Sequence, residues 1–347
     1  MSRLATQPRP RRDRVTELVA TGFAYPHAIV DNAEFFARCR FPITDDRAQL
    51  IADTRMKRRT WCGPGENTWT MARAAVARAI EQGKATGAFD PREIDLVVVS
   101  SCSTIPMVNF PDPANPVVAD LAPLVLAELG RDDGVGIDLK ASYCAGFLRG
   151  LELVDAMLDN PDYRLALLIA SDEGGRFATA ESNRSAFCFL VGDAAGAVVL
   201  RKRPAAPRTG IVDYLGKTVV SKADLTSWGP DGKSLFVRGV RTGVAGLELM
   251  LEAGRQLMAR NRLTPDDIDW LIPAQTHAGT VEALCTGLEL PRDKLVWSGD
   301  VTGYAASASI AATLGARMQD RTVNKGDLIL SLAAGAGMNV AGAVYYA

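Results

Sequence analysis

Short apolar runs in this chain alternate with stretches in which apolar residues recur every three or four positions. The first pattern is typical of buried strands and the second of helices packed on one face. The runs predict strands at residues 96–100, 134–139, 165–171, 195–200, 270–273, 328–332 and 341–346. The stretches predict helices at residues 70–81, 147–158, 244–260 and 307–318. Strands that alternate with helices indicate a layered α/β fold.

Parts of this pattern occur twice. Residues 90–99 match residues 264–273, and each segment leads into a strand. Residues 192–200 resemble residues 335–344 in the same way. Because the two matches occur in the same order, they predict a fold made of two related α/β halves.

The boundary between the halves is marked by a basic segment that contains proline, at residues 201–208. We therefore expect an N-terminal half at residues 15–203, which carries the nucleophile discussed below, and a C-terminal half at residues 209–347. Residues 1–14 are basic and lack an apolar pattern, which predicts a disordered tail.

Composition narrows the possible functions. The chain is 48% hydrophobic and 23% charged, as ordinary globular proteins are. A formal net charge of −1 argues against nucleic acid as a partner. The six cysteines are scattered and there are only two histidines, so we expect no metal site. No apolar run has the length of a membrane span and no secretion signal is visible, which predicts a cytoplasmic protein with reduced thiols.

The most informative single residue is Cys144, which lies between a predicted strand and a predicted helix. The partial positive charge at the start of a helix stabilises a thiolate, and the thiolate is the nucleophilic form of cysteine. A small buried cysteine packed at the end of a strand would fit the same position. On these residues alone, the two interpretations are about equally good.

Four further segments carry a resemblance to a known family, at residues 145–147, 189–196, 267–273 and 333–338. Together they resemble the thiolase superfamily and, within it, condensing enzymes of the β-ketoacyl-acyl-carrier-protein synthase III type. The resemblance covers nearly everything after Arg14. It implies a five-layer αβαβα fold, a homodimer, and an acyl group carried on Cys144. It also implies a thioester of coenzyme A or of an acyl carrier protein as donor, with no other cofactor.

Two positions depart from the pattern of that family. The position of the family's catalytic histidine is Ala274, and the position of its catalytic asparagine is Tyr304. In the family these two side chains stabilise charge on a malonyl thioester during decarboxylation. One such donor lowers the rate-limiting barrier by about 3–4 kcal/mol. We therefore expect decarboxylative Claisen condensation to be weakened.

Acylation of the cysteine needs only a thiolate and an oxyanion hole. The resemblance implies that backbone N–H groups of Cys144 and of the glycine-rich loop near Gly335 and Gly337 form that hole. All three residues are present in the sequence.

His277 and Tyr304 are the candidates for replacing the lost pair. His277 lies three residues after Ala274, so it projects from a similar face if a helix starts there. It would then serve as a general base, or it is a surface or packing residue. Tyr304 either donates a hydrogen bond through its phenol or only fills volume.

Basic residues at two places resemble family segments that bind the carrier arm of the donor. They are Arg55, Arg58 and Arg59 in one segment and Lys233 in another. A basic surface suits an acidic carrier protein or the phosphates of coenzyme A. A solvated charged turn explains any one of these residues equally well.

The sequence thus predicts an acyltransferase that passes an acyl group through Cys144 to an oxygen, nitrogen or carbon acceptor. The altered pair points to specialised metabolism of the polyketide or fatty-acid type. Two alternatives stay open: a Claisen-condensing synthase in which His277 and Tyr304 replace the usual pair, and a degenerate subunit of a hetero-oligomeric synthase. The presence of Cys144 argues against the degenerate subunit.

Overall fold

The computed structural model describes residues 13–43, 46–103, 120–140, 142–178, 186–228 and 235–347. Most of the predicted N-terminal tail lies outside these ranges. The strands are β1 (Arg14–Ala24), β2 (Ala28–Asp31), β3 (Arg58–Trp61), β4 (Ile94–Ser100), β5 (Val135–Leu139), β6 (Leu165–Asp172), β7 (Ala194–Pro204), β8 (Ile211–Thr218), β9 (Thr226–Trp228), β10 (Leu235–Val237), β11 (Trp270–Leu271), β12 (Leu328–Gly335) and β13 (Asn339–Tyr346). The α-helices are α1 (Asn32–Arg38), α2 (Arg47–Thr54), α3 (Thr68–Ala85), α4 (Leu121–Glu128), α5 (Gly146–Met157), α6 (Gly175–Ala178), α7 (Gly239–Asn261), α8 (Ala278–Gly287), α9 (Gly299–Thr302) and α10 (Ala308–Gln319).

Two main sheets have the same strand order. The first runs β1-β7-β6-β4-β5 and the second runs β8-β13-β12-β11. In each sheet the second strand pairs antiparallel with both of its neighbours, and the third pairs parallel with the fourth. A parallel bridge between Leu271 and Leu295 stands where the second sheet would have its fifth strand. The prediction of two related α/β halves is confirmed by this shared topology.

The sheets and helices form five layers. Helices α3 and α4 pack on the outer face of the first sheet, and α7 and α8 pack at the outer face of the second. Helices α5 and α10 lie between the two sheets, where α5 contacts strands of both. This is the αβαβα arrangement that the resemblance implied.

The central strands of the first sheet contain continuous apolar runs, at residues 96–99 and 165–170, because helices cover both of their faces. In β4, Leu96 and Val98 face the layer between the sheets, whereas Val97 and Val99 face α3 and α4. All four side chains are fully buried. The continuous apolar run that predicted this strand is thus a direct consequence of its place in the middle of the fold.

The predicted strand at residues 270–273 is assigned only at Trp270–Leu271. Pro273 has no N–H group to donate to the ladder. The N–H groups of Ile272 and Ala274 nevertheless bond the carbonyls of Leu330 and Leu332, at 2.9 and 2.8 Å. The chain therefore stays extended alongside β12 as far as Ala274.

In the part of the chain that the structure describes, we find no helix with both the length and the apolar character needed to cross a membrane.

Candidate active site

Cys144 lies in a tight corner between β5 and α5. Residues Tyr143–Ala145 form a 3₁₀ turn that leads directly into the helix, and Ala145 N–H donates to the Ser142 carbonyl at 3.0 Å. Ser142 and Tyr143 both have positive φ angles, of 74° and 44°. Residues other than glycine rarely adopt this backbone conformation, so the surrounding structure must hold the corner in place. The corner places the partly exposed Cys144 two residues before the start of the helix.

The second half contributes a corresponding corner between α9 and α10. Gly303, with φ of 76°, precedes Tyr304, whose N–H donates to the Leu190 carbonyl at 2.7 Å. Gly192 N–H donates back to the Tyr304 carbonyl at 3.1 Å. A Cβ atom on Gly192 would lie 2.1 Å from a backbone oxygen of this corner, so only glycine permits the approach.

The two corners meet at the sulfur of Cys144. The Tyr304 phenol and the thiol of Cys102, which lies just beyond the end of β4, both lower the pKa of this sulfur. The hydrogen bond from Cys102 lowers the pKa of Cys144; burial opposes it, and the hydrogen bond from Tyr304 lowers the pKa further. Burial and the nearby Cys144 raise the pKa of Tyr304, which keeps its phenol protonated as a donor.

The fully buried carboxylate of Asp172, at the end of β6, connects two segments of the site. Its Oδ1 accepts the N–H groups of Cys102 and Ser103, at 2.6 and 3.1 Å. Its Oδ2 accepts the N–H and the hydroxyl of Ser307, at 2.8 and 2.6 Å. Burial raises the pKa of Asp172, and the hydrogen bonds from Ser307 and the Cys102 segment oppose that rise. One side chain thus binds both the segment that carries Cys102 and the start of α10.

The position that holds an imidazole in the resembled family offers only a methyl group here. Ala274 is 1% exposed and belongs to the same buried cluster as Tyr304 and Ala145. Its side chain has no hydrogen-bonding atom, so the two side-chain donors to Cys144 are Tyr304 and Cys102 among the described residues.

His277 occupies a different place from the one that the helical spacing suggested. The helix begins at Ala278, so Ala274 lies before it in extended chain and His277 is its N-cap. The imidazole accepts from the Thr280 N–H at 3.4 Å and hydrogen-bonds the Thr280 hydroxyl at 3.0 Å. Burial lowers the pKa of His277, and Asp53 on α2 opposes this. Within the described ranges, its hydrogen bonds go to Thr280 and none goes to Cys144.

The end of β12 lies against the Cys144 corner. A Cβ atom on Gly335 would come within 2.2 Å of the Ser142 carbonyl oxygen and 2.9 Å of the Cys144 nitrogen. Gly337, with φ of 120°, lies two residues on, in the turn before β13. Backbone from both halves therefore borders the space beside the sulfur, as an oxyanion hole built from Cys144 and this loop requires. A role for Gly337 in such a hole stays a prediction.

Among the predicted carrier-binding residues, Arg59 is fully buried and does not lie on the surface. Its guanidinium donates to the carbonyls of Asp31 and Phe189, at 2.9 and 3.0 Å, and to Asn32 Oδ1 at 3.0 Å. Burial lowers its pKa to about 10, against an opposing effect of Asp31. A buried cation that satisfies backbone carbonyls holds β3 to its neighbours and is closed to a carrier.

The other basic candidates differ from Arg59. Arg55 and Arg58 are exposed, and Arg55 forms an ion pair with Glu282 on α8. Lys233 lies outside the described residues.

Two site residues escaped the sequence reasoning, Cys102 and Asp172. A signal for both exists, because β4, β5 and β6 are parallel and residues that follow their carboxyl ends meet at one edge of the sheet. Cys102, Cys144 and Asp172 all stand at that edge.

Comparison with known proteins agrees with this architecture. The family described as 3-oxoacyl-[acyl-carrier-protein (ACP)] synthase III matches residues 137–218, and its C-terminal counterpart matches residues 258–347. The β-ketoacyl-[acyl-carrier-protein] synthase III of Sphingopyxis alaskensis is 29% identical over 341 residues, which covers 94% of this chain and 97% of that protein. The β-ketoacyl-[acyl-carrier-protein] synthase III of Caldanaerobacter subterraneus is also 29% identical, and the match covers 94% of this chain and 96% of that protein.

Solved structures show the same fold. The 3-oxoacyl-[acyl-carrier-protein] synthase III of Aquifex aeolicus has a TM-score of 0.82 at 21% identity, covering 96% of this chain and all of the other. The priming β-ketosynthase of the R1128 polyketide pathway has a TM-score of 0.80 at 26% identity, covering 97% and 98%. The two family matches, the relatives and the shared fold together support an acyl-transferring enzyme of the thiolase type. Within that class the chain is similar to the β-ketoacyl-acyl-carrier-protein synthases III, as its motifs indicated.

The contacts of His277 predict that it caps α8 and that acyl transfer does not need its imidazole. His277→Asn keeps a good N-cap and removes the imidazole, whereas His277→Ala removes both and costs about 1 kcal/mol of stability. We expect acyl transfer by His277→Asn at the wild-type rate and a lower unfolding midpoint for His277→Ala only. Turnover assays and urea unfolding of both variants measure this, and a slow but stable His277→Asn would restore the histidine to the mechanism.

The burial of Arg59 predicts a structural defect. Arg59→Ala leaves buried carbonyls without a donor and should lower the free energy of unfolding by about 3 kcal/mol or more. Its exposed neighbour serves as the matched control, because Arg58→Ala should change stability by less than about 0.5 kcal/mol. Urea denaturation followed by circular dichroism measures both, and equal stability of the two variants would refute the assignment.

The phenol of Tyr304 predicts a pH effect on Cys144. Tyr304→Phe removes a group that lowers the pKa of Cys144, so this pKa should rise. Alkylation of the Cys144 peptide by iodoacetamide, followed by mass spectrometry against pH, should be slower in Tyr304→Phe than in wild type below both pKa values. At high pH, the alkylation rate of Tyr304→Phe should equal that of the wild type. The exposed Tyr143→Phe is the control, and overlapping profiles for all three proteins would contradict the contact.

Proposed function

We propose that Cys144 accepts an acyl group from a coenzyme A or acyl-carrier-protein thioester and passes it to an oxygen, nitrogen or carbon acceptor. The observation that carries this proposal is the combination found around one sulfur. The thiol of Cys144 has two donors that favour its thiolate, while the imidazole position is Ala274. The site thus has what acylation needs and lacks half of the pair that the family uses in decarboxylation.

In the acylation step, the Cys144 thiolate attacks the thioester carbonyl and the carrier's sulfur leaves. The N–H of Cys144 lies within hydrogen-bonding reach of its own sulfur, so it borders the carbon that the sulfur attacks. The close approach of Gly335 brings the end of β12 to the same place. Backbone donors held in this way stabilise a tetrahedral oxyanion without reorganising.

The transfer step decides which acceptor the enzyme uses. Decarboxylation of a malonyl thioester develops charge that two side-chain donors stabilise in the family, and here only the phenol of Tyr304 remains in that position. Loss of one donor costs about 3–4 kcal/mol, a hundred- to thousand-fold in rate. The names of the relatives, which are synthases, and the polyketide priming enzyme among the similar structures support specialised metabolism of the polyketide or fatty-acid type.

A second candidate is Claisen condensation supported by Tyr304 alone. The effect of its phenol on the pKa of Cys144 supports this candidate, because the phenol then acts on the reacting sulfur. The two candidates share the acyl-enzyme and differ in the acceptor.

Intact-mass measurements with a panel of acyl-coenzyme A and acyl-carrier-protein donors test the shared step. We expect an acyl-sized gain on the wild-type protein that is absent from Cys144→Ala. No adduct with any donor, alone or with a related synthase subunit, would overturn the proposal in favour of a degenerate subunit.

Restoring the usual pair tests the transfer step. The variant Ala274→His/Tyr304→Asn recreates both donors, so release of carbon dioxide from a malonyl thioester should be roughly a hundred- to thousand-fold faster than in wild type. The single variant Ala274→Ser, which adds a small hydrogen-bonding group but no imidazole, is the control. Equal decarboxylation by wild type and the restored variant would favour the Claisen candidate.

A further inference from the structure

The backbone of Tyr304 is paired with a segment of the first half. Its N–H donates to the Leu190 carbonyl at 2.7 Å, and its carbonyl accepts from the Gly192 N–H at 3.1 Å. These two bonds form a parallel bridge between Val191 and Tyr304. They hold the main chain in place, but they do not fix the χ1 torsion of the tyrosine, which has three staggered positions. A further contact must select the direction of the ring.

The ring of Phe187 makes that contact. The centroids of the Phe187 and Tyr304 rings lie 5.7 Å apart, and the ring planes meet at 81°. Aromatic pairs prefer this edge-to-face geometry, because the positive edge of one ring meets the negative face of the other. Tyr304 is 4% exposed, so a different rotamer would lose this contact and displace buried neighbours.

Phe187 belongs to the short 3₁₀ segment Ala186–Leu190, which is anchored independently of the tyrosine. The guanidinium of Arg59 donates to the Phe189 carbonyl at 3.0 Å. The indole N–H of Trp61 donates to the Val191 carbonyl at 2.9 Å. Both donors lie on β3, so this strand of the first half sets the place of the segment and of the phenylalanine in it.

The corner that carries Tyr304 packs on the corner that carries Cys144. A Cβ atom on Gly146, two residues after Cys144, would lie 3.4 Å from the Cβ atom of Ser307, which comes three residues after Tyr304. The direction of the tyrosine ring therefore decides whether its phenol faces the Cys144 corner. Cys102 and the phenol both lower the pKa of Cys144, against the effect of burial, which agrees with a phenol that faces it.

We propose that Phe187 is a positioning residue that fixes the ring of Tyr304 with its phenol toward Cys144. This inference rests on the proposed function, because it concerns the sulfur that accepts the acyl group. Phe187 acts through the phenol, so its effect on Cys144 must vanish when the phenol is absent. The first half then supplies both the nucleophile and the residue that orients the phenol of the second half.

Reactivity of Cys144 towards iodoacetamide tests this role without an acyl donor. The full chain is alkylated over a range of pH, and mass spectrometry follows modification of the Cys144 peptide. Phe187→Leu keeps an apolar side chain but removes the ring. Below the pKa of Cys144, we expect slower alkylation of Phe187→Leu than of wild type, by a factor no larger than that for Tyr304→Phe. Phe187→Met, a second variant without a ring, should behave in the same way.

The double variant shows whether Phe187 acts through the phenol. In the Tyr304→Phe background, Phe187→Leu should change the alkylation rate by less than about twofold. An effect that reached the sulfur through Cys102 or Asp172, the other titratable groups that act on it, would persist in this background.

Phe36→Leu is the matched control. The ring of Phe36 stacks on Phe189 at 5.4 Å and meets Phe35 at 5.6 Å, so its loss weakens the neighbouring aromatic cluster and should leave the alkylation profile unchanged.

Two results would overturn the positioning role. One is a wild-type profile for Phe187→Leu beside a slowed Tyr304→Phe, and the other is equal slowing by Phe187→Leu in both backgrounds. Failure of every thioester to load Cys144, with the expected alkylation profiles, would instead overturn the proposed function and leave the position of the phenol supported.

Discussion

The arrangement of the site depends on one buried carboxylate. Asp172 stands at the end of β6 and accepts hydrogen bonds from the segment after β4 on one oxygen and from the start of α10 on the other. A carboxylate removed from water is costly unless its lone pairs are satisfied, so these partners cannot move independently of it. Since the first segment carries Cys102 and α10 follows the Tyr304 corner, Asp172 fixes how two of the groups around Cys144 sit relative to each other.

Besides the Asp172 carboxylate, one negative charge is favoured within this small space. Cys144 takes it most readily, because Cys102 and Tyr304 both donate to its sulfur and both have raised pKa values. Asp172 lies behind them and disfavours further charge. The imidazole position of the resembled family is Ala274 here, so a neutral thiol and a phenol are the side chains that lower the pKa of this sulfur. Such a site favours reactions in which charge stays on sulfur.

The sequence was informative where a residue's environment is set by its own segment. The apolar runs at β4 and β6 were predictable because both faces of these strands are covered, and the Cys144 corner was predictable from the strand and helix on either side. Contacts between distant segments were not predictable. The sequence around Arg59 predicts a basic surface segment. Its buried guanidinium instead donates to the carbonyl of Phe189, which lies far along the chain. The helical spacing from Ala274 predicts the wrong position for His277. The N–H of Ala274 still bonds β12, so the helix does not begin until Ala278.

The close approach of Gly335 to Ser142 makes the two halves depend on each other. The strand that ends at Gly335 belongs to the second sheet, whereas the corner that it supports belongs to the first, and α5 contacts both sheets. In return, backbone groups of Leu190 and Gly192 in the first half bond both sides of Tyr304 in the second corner. Neither half holds its own corner, so a separated half would lose the geometry of its corner even if its sheet stayed folded.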